Sequence, residues 1–141
     1  MTAERQSFPA RTEMFPQVAA FVEKRCAALG VDRQATLRLL LVAEELFINT
    51  SVHGYRDRGG AVTLTVRDSG GEVELIAEDG AQAFNPFADL AQPVAPADPR
   101  DAAIGGLGRA LVAGISSRHA YERREGRNRV TVGVLKQRGG K

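Results

Sequence analysis

The chain has no tryptophan, a single cysteine and no long apolar run, and each scarcity excludes something. One cysteine cannot make a disulfide framework within the chain, so the 141 residues must be held by a core of their own. Cys26 falls in an apolar helical stretch and reads as a small core residue, which fits a reducing compartment. No stretch approaches the roughly 18 consecutive apolar residues of a membrane-spanning helix. The N-terminal "MTAERQSFPARTE" lacks the apolar centre of a secretory signal. The expectation is one soluble, cytoplasmic domain with no membrane partner. Aromatic residues are also few, 6%. From Arg118 to Lys141 there are eight Lys/Arg and two Glu, net +6, against eleven Lys/Arg and fifteen Asp/Glu, net −4, before it. No aromatic platform or nucleic-acid motif accompanies that basic segment, so it reads as a solvated sheet edge and tail with no direct nucleic-acid partner.

What is present is periodicity. Phe15, Val18, Ala19, Val22, Cys26 and Leu29 form one helical stripe, with Thr12 as its cap, Pro16 in its first turn and Gly30 after its end. Asp32 has the place of the next N-cap, opening a helix that runs to about Val52 and is closed by Gly54. Its residues are apolar nearly all round, which predicts a buried helix. The period then changes to two. "AVTLTVRD" and "EVELIAED", joined by "SGG", predict a β-hairpin, and "HAYERREGRNRVTVGVLK" predicts another. Between them lie about twenty residues rich in Ala, Pro and Asp, then "IGGLGRALVAGI", a glycine-rich start to a short helix. A strand near Ser7 and Phe8 is weakly signalled. Helices gathered on one face of a mostly antiparallel sheet make an α+β fold, a two-layer α/β sandwich.

Three places carry chemistry. Glu45 and Asn49 are four apart on the second helix and share a face, while Glu44 is rotated towards solvent. A buried carboxylate beside a buried amide needs compensation: by each other, or by a divalent cation such as Mg²⁺, which prefers oxygen ligands and commonly also holds phosphate. "GGLGR", Gly105, Gly106, Leu107, Gly108 and Arg109, can offer bare backbone N–H groups and one positive charge to an anion, or serve as a hinge. "EDGAQAFNPF" places Asp79, Gly80 and Ala81 at a strand end, as a turn or as a fixed acceptor for an amino group such as that of adenine.

In this order the three segments resemble the histidine-kinase-like (GHKL) ATPase superfamily, and within it the small anti-sigma-factor serine/threonine kinases of bacteria. "EELFINTSVHGY" resembles the family's N box, "EDGAQAFNP" its adenine box, "IGGLGRALV" its second glycine box and "YERREGRNRVTV" its closing hairpin. The resemblance implies a Bergerat-type sandwich with a mixed, mostly antiparallel sheet. It also implies an N-terminal segment over 1–11, an ATP-binding kinase domain over 12–136 with an ATP lid at about 85–104, and a tail over 137–141. By resemblance Glu45 is the general base, Asn49 a Mg²⁺ ligand and Asp79 the partner of the adenine amino group. Gly106 and Gly108 let the lid backbone approach the phosphates of ATP. The family writes D-x-G where this chain has Ala81 in the glycine's place. If that glycine serves positive φ or close ligand approach, Ala81 weakens nucleotide binding. No phospho-accepting His helix is present; His53 reads as a packing or capping residue.

The resemblance implies a protein kinase that phosphorylates a STAS-type anti-anti-sigma protein, sequesters a sigma factor in a partner switch and forms a homodimer. The alternative is a sequestering module that uses ATP weakly or not at all, which Ala81 favours and the pairing of Glu45 with Asn49 opposes.

Overall fold

The computed structural model describes residues 3–56, 58–88 and 107–136. Strand β1 (Ala3–Pro9) leads through a 3-10 turn at Thr12–Met14 into helix α1 (Phe15–Ala28). Helix α2 (Arg33–Asn49) follows, continued by a π-helical turn at Thr50–Gly54. Strands β2 (Ala61–Ser69) and β3 (Glu72–Asp79) form the first hairpin. Helix α3 (Leu107–Ile115) precedes the last hairpin, β4 (Arg118–Arg124) and β5 (Arg127–Leu135). The sheet order is β1-β2-β3-β5-β4, and all four pairings are antiparallel, where the expected sheet was mixed. Of the expected lid, 89–104 lies outside the described residues, as does the tail from 137.

Local chemistry sets these boundaries. Asp32 caps α2, its Oδ1 accepting from the Ala35 amide at 2.8 Å. Thr12 does not cap α1; it opens the 3-10 turn, and Met14, which has no capping side chain, takes the N-cap position. Glu125 and Gly126 both have positive φ, the pairing that turns a tight hairpin without splaying its strands.

Register sorts the sheet into two faces. Phe8, Val62, Leu64, Val66, Val73, Leu75, Val130, Val132 and Val134 lie on the inner face and join Val18, Val22, Leu39, Val42, Phe47 and Val112 of the helices in one core. Each such side chain contributes on the order of 1.5–3 kcal/mol by leaving water. Phe8 and Phe21 meet edge-to-face at 5.7 Å between centroids, fastening β1 to α1. Cys26 lies fully buried among them, and burial raises its thiol pKa, as suits a packing residue. The outer face is polar. At its centre Glu74, 1% exposed, is held between Arg67, at 2.8 Å, and Arg118. Helix α2 is less buried than its composition predicts: Leu37 and Leu41 are 48% and 38% exposed. Only its stripe through Leu39, Val42, Leu46 and Phe47 faces the core.

Candidate functional site

At one end of the inner face the apolar stripe gives way to polar residues. Asp79 closes β3 and Asn128 lies directly opposite it on β5. Both are buried, at 5% and 4% exposure. Above them opens a pocket of about 570 Å³, counting its mouth, lined by Leu46, Ala77, Ala81, Phe84, Pro86 and Val130 with Asn49, His53, Asp79 and Asn128. An apolar recess with a few converging polar groups has the character of a small-molecule site.

Helix α2 supplies one wall. The Asn49 amide donates to Glu45 Oε2 at 2.6 Å, one helical turn apart, which leaves the amide oxygen of Asn49 for another partner. Asn49 is buried at 7% exposure and Glu45 half-buried, while Glu44 is exposed. Burial raises the pKa of Glu45; the Asn49 hydrogen bond, Arg109 and His53 draw it back down, and Glu44 adds to the rise. A carboxyl so placed sits closer to neutrality than an exposed one, as a proton acceptor needs.

After Asn49 the helix winds wider. The amide of Tyr55 donates to the Thr50 carbonyl, five residues back, at 2.9 Å. Such π turns concentrate at functional sites. This one carries His53 to the pocket wall and Tyr55 to the sheet end. There the Tyr55 hydroxyl donates to the Ala61 carbonyl at 2.9 Å and accepts from the Gly80 amide at 2.7 Å. A side chain on Gly60 would overlap the Tyr55 ring.

The loop after β3 is organised by Asp79 and Asn128. Asp79 Oδ1 accepts from the Ala81 amide and from Asn128 Nδ2, each at 2.9 Å. Asn128 Nδ2 also reaches the Gln82 carbonyl at 2.9 Å, while its Oδ1 accepts from Tyr121 Oη at 2.6 Å and the Phe84 amide at 3.3 Å. Ala81 is not among the residues with positive φ. The close approach falls on Gly54 instead, where an added Cβ would stand 3.0 Å from that of Ala81. Alanine at 81 is therefore accommodated without backbone strain.

Helix α3 packs against Glu45 and against the segment at Pro86. A Cβ on Gly108 would fall inside the Glu45 carboxylate, so the glycine backbone lies directly on that group. Arg109 donates to the Pro86 and Ala88 carbonyls at 3.3 and 3.4 Å, and its guanidinium stands 5.6 Å from the Phe84 ring centroid. It thus holds the pocket rim rather than standing as a bare charge. Gly105 and Gly106 lie outside the described residues, and of Leu107 only the start of α3 is described.

Of the expected site residues, the structure sets Asn49, Asp79 and Ala81 in the lining of one pocket, with Glu45 bonded to Asn49, Gly108 against Glu45, Arg109 on the Pro86 carbonyl and Gly80 on the Tyr55 hydroxyl. His53 and Asn128 were missed as site residues. His53 continues the spacing of Glu45 and Asn49 by four more residues. Asn128 is the polar residue in the register of Val130, Val132 and Val134, and that break was its signal.

Among the described residues no three His, Cys, Asp or Glu cluster as a metal cage, and no helix is long and apolar enough to cross a membrane. Compared with protein-family models, the chain matches that of the histidine kinase-like ATPase domain over residues 8–134. Among curated proteins no match is found.

Proposed function

The chain belongs to the histidine kinase-like ATPase family, and from that premise we propose that it is an ATP-dependent serine/threonine protein kinase and anti-sigma factor. Its substrate would be a STAS-type anti-anti-sigma protein, and unphosphorylated substrate and sigma factor would compete for it in a partner switch. The resemblance extends the proposal to a homodimer. ATP binding is the family's property; the protein substrate, the sigma factor and the dimer are this reading's own.

One observation carries it: the hydrogen-bonded Glu45–Asn49 pair, with the Gly108 backbone on the carboxylate, at the wall of a pocket floored by Asp79. These residues fit Mg·ATP. The Asn49 amide nitrogen is engaged, which leaves a hard oxygen for Mg²⁺, an ion that completes its shell with water and phosphate. Bound there, Mg²⁺ would neutralise charge on the phosphates. Asp79 would accept a hydrogen bond from the amino group of adenine, with Phe84 and Pro86 in the lining beside the base. Glu45 orients the incoming serine or threonine hydroxyl. The hydroxyl oxygen bonds to the γ-phosphorus, the bond from that phosphorus to the bridging oxygen breaks, ADP leaves, and the hydroxyl proton passes to Glu45. Such chemistry is mainly positioning, so a site with one base and one metal ligand suffices.

Transfer of labelled γ-phosphate from Mg·ATP to candidate STAS proteins tests the reading. Glu45→Ala should keep ATP binding and slow transfer by about 100-fold or more. Equal rates for variant and wild type would remove Glu45 as the base. The alternative is a sequestering module that uses ATP weakly or not at all; Ala81 carries no backbone strain, and it favours this alternative where the missing glycine serves close ligand approach.

A further inference from the structure

Asn128 is buried, lies opposite Asp79 across the β3–β5 ladder, and has every hydrogen-bonding capacity engaged. Its two amide hydrogens serve Asp79 Oδ1 and the Gln82 carbonyl. The two lone pairs of its oxygen take the Tyr121 hydroxyl and the Phe84 amide. The assignment is self-enforcing. Rotating the amide by half a turn would set its oxygen against the Asp79 carboxylate and the Gln82 carbonyl, and its nitrogen against the Phe84 amide donor. Asp79 Oδ1 is in turn filled by two donors, Ala81 N–H and Asn128, so only its second oxygen is left for a ligand.

We infer that Asn128, oriented by Tyr121, is the positioning residue that makes this pocket selective for a 6-amino over a 6-oxo purine, by immobilising Asp79. The inference rests on the nucleotide reading above and deepens it. Immobility matters because the two bases differ by a small displacement. Adenine offers its donor on the exocyclic amino group. Hypoxanthine has a carbonyl there and offers an N–H at the adjacent ring atom instead. A carboxylate free to swing would find that neighbouring donor and accept either base. A carboxylate fixed by two hydrogen bonds on its other oxygen meets the 6-oxo group acceptor to acceptor, and sites built this way discriminate strongly. Asn128 also ties down Gln82 and Phe84, so the same side chain fixes the loop that covers the base. Arg123 supports that loop separately, donating to the Ala81 carbonyl at 2.8 Å.

The test compares Mg·ATP and Mg·ITP affinity by calorimetry for wild type, Asn128→Asp and Tyr121→Phe, with the melting temperature of each. Asn128→Asp keeps the shape but replaces the donor facing Asp79 with an acceptor. Tyr121→Phe removes one hydroxyl from a partly exposed side chain and so guards against a misfolded first variant. The expected result is an ATP-to-ITP affinity ratio that is large in wild type, falls by about tenfold or more in Asn128→Asp and by about threefold in Tyr121→Phe. A merely structural role would lower the melting temperature and both affinities together and leave the ratio where it was; that outcome overturns the inference and spares the nucleotide reading. A wild-type ratio near one likewise overturns the inference alone. A wild-type chain that binds neither nucleotide removes both.

Discussion

Replacing Gly108 by alanine isolates the contact on which the site depends. The new methyl group would occupy the space of the Glu45 carboxylate. Backbone cannot yield cheaply there, but Glu45 is a flexible side chain and can swing out. Doing so breaks its 2.6 Å bond with Asn49, whose buried amide then has lost a charged acceptor, a loss of about 1.5–3 kcal/mol. Against this, alanine is the better helix former by up to about 1 kcal/mol, since Gly108 lies in the first turn of α3. Gly108→Ala should therefore destabilise the wild type by only about 0.5–2 kcal/mol. In a Glu45→Ala background there is nothing to displace, and the same change should be neutral or stabilising by up to about 1 kcal/mol. Urea denaturation of the four proteins in this cycle measures the coupling, expected at about 1.5–3 kcal/mol. If Gly108→Ala has the same effect in both backgrounds, the glycine is not there for Glu45 and the reading of the site is wrong.

Two further perturbations have determined signs. If Glu45 must be ionised to accept a proton, turnover falls on the acid side as pH drops through its raised pKa. Arg109→Leu removes a lowering influence and should move that limb to higher pH, while Glu44→Gln removes a raising one and should move it to lower pH; pH–rate profiles that shift together contradict the assignment. The same raised pKa means that Glu45 contributes most to stability below its unfolded-state pKa and that this contribution is lost as pH rises through the folded-state value. Glu45→Gln should flatten that part of a stability–pH curve. On the outer face, Glu74→Ala should cost about 1–3 kcal/mol by urea denaturation. The figure lies below that of a fully buried pair because Arg67 and Arg118 are 41% and 52% exposed and can turn to water. A change within a few tenths of a kcal/mol would mean that this ion pair does not stabilise the fold.

The elements with strong period and clear punctuation were legible in the sequence. Asp32 announced α2, Gly30 ended α1, and the alternation of Val62, Leu64 and Val66 fixed both β2 and its inward face. The exposure of Leu37 and Leu41 was not legible, because composition shows that a helix is apolar but not how wide a stripe its neighbours cover. The π turn was invisible for a related reason. It comes with tertiary anchoring of Tyr55 to Ala61 and Gly80, which no local pattern encodes. In the site, Glu45 and Asn49 could be paired from helical spacing alone. Asn128, 49 residues from Asp79, could not be joined to it without the register of β3 and β5.

On the proposed function, α2 keeps a polar pair in its buried face to hold a metal-bound nucleotide. Calorimetry of Mg·ATP binding to the wild type and to Asn49→Ala tests it most directly. Magnesium-dependent binding by the wild type should weaken by at least about tenfold in the variant, as loss of one oxygen ligand requires. Equal affinity for both proteins, or binding indifferent to magnesium, would contradict it.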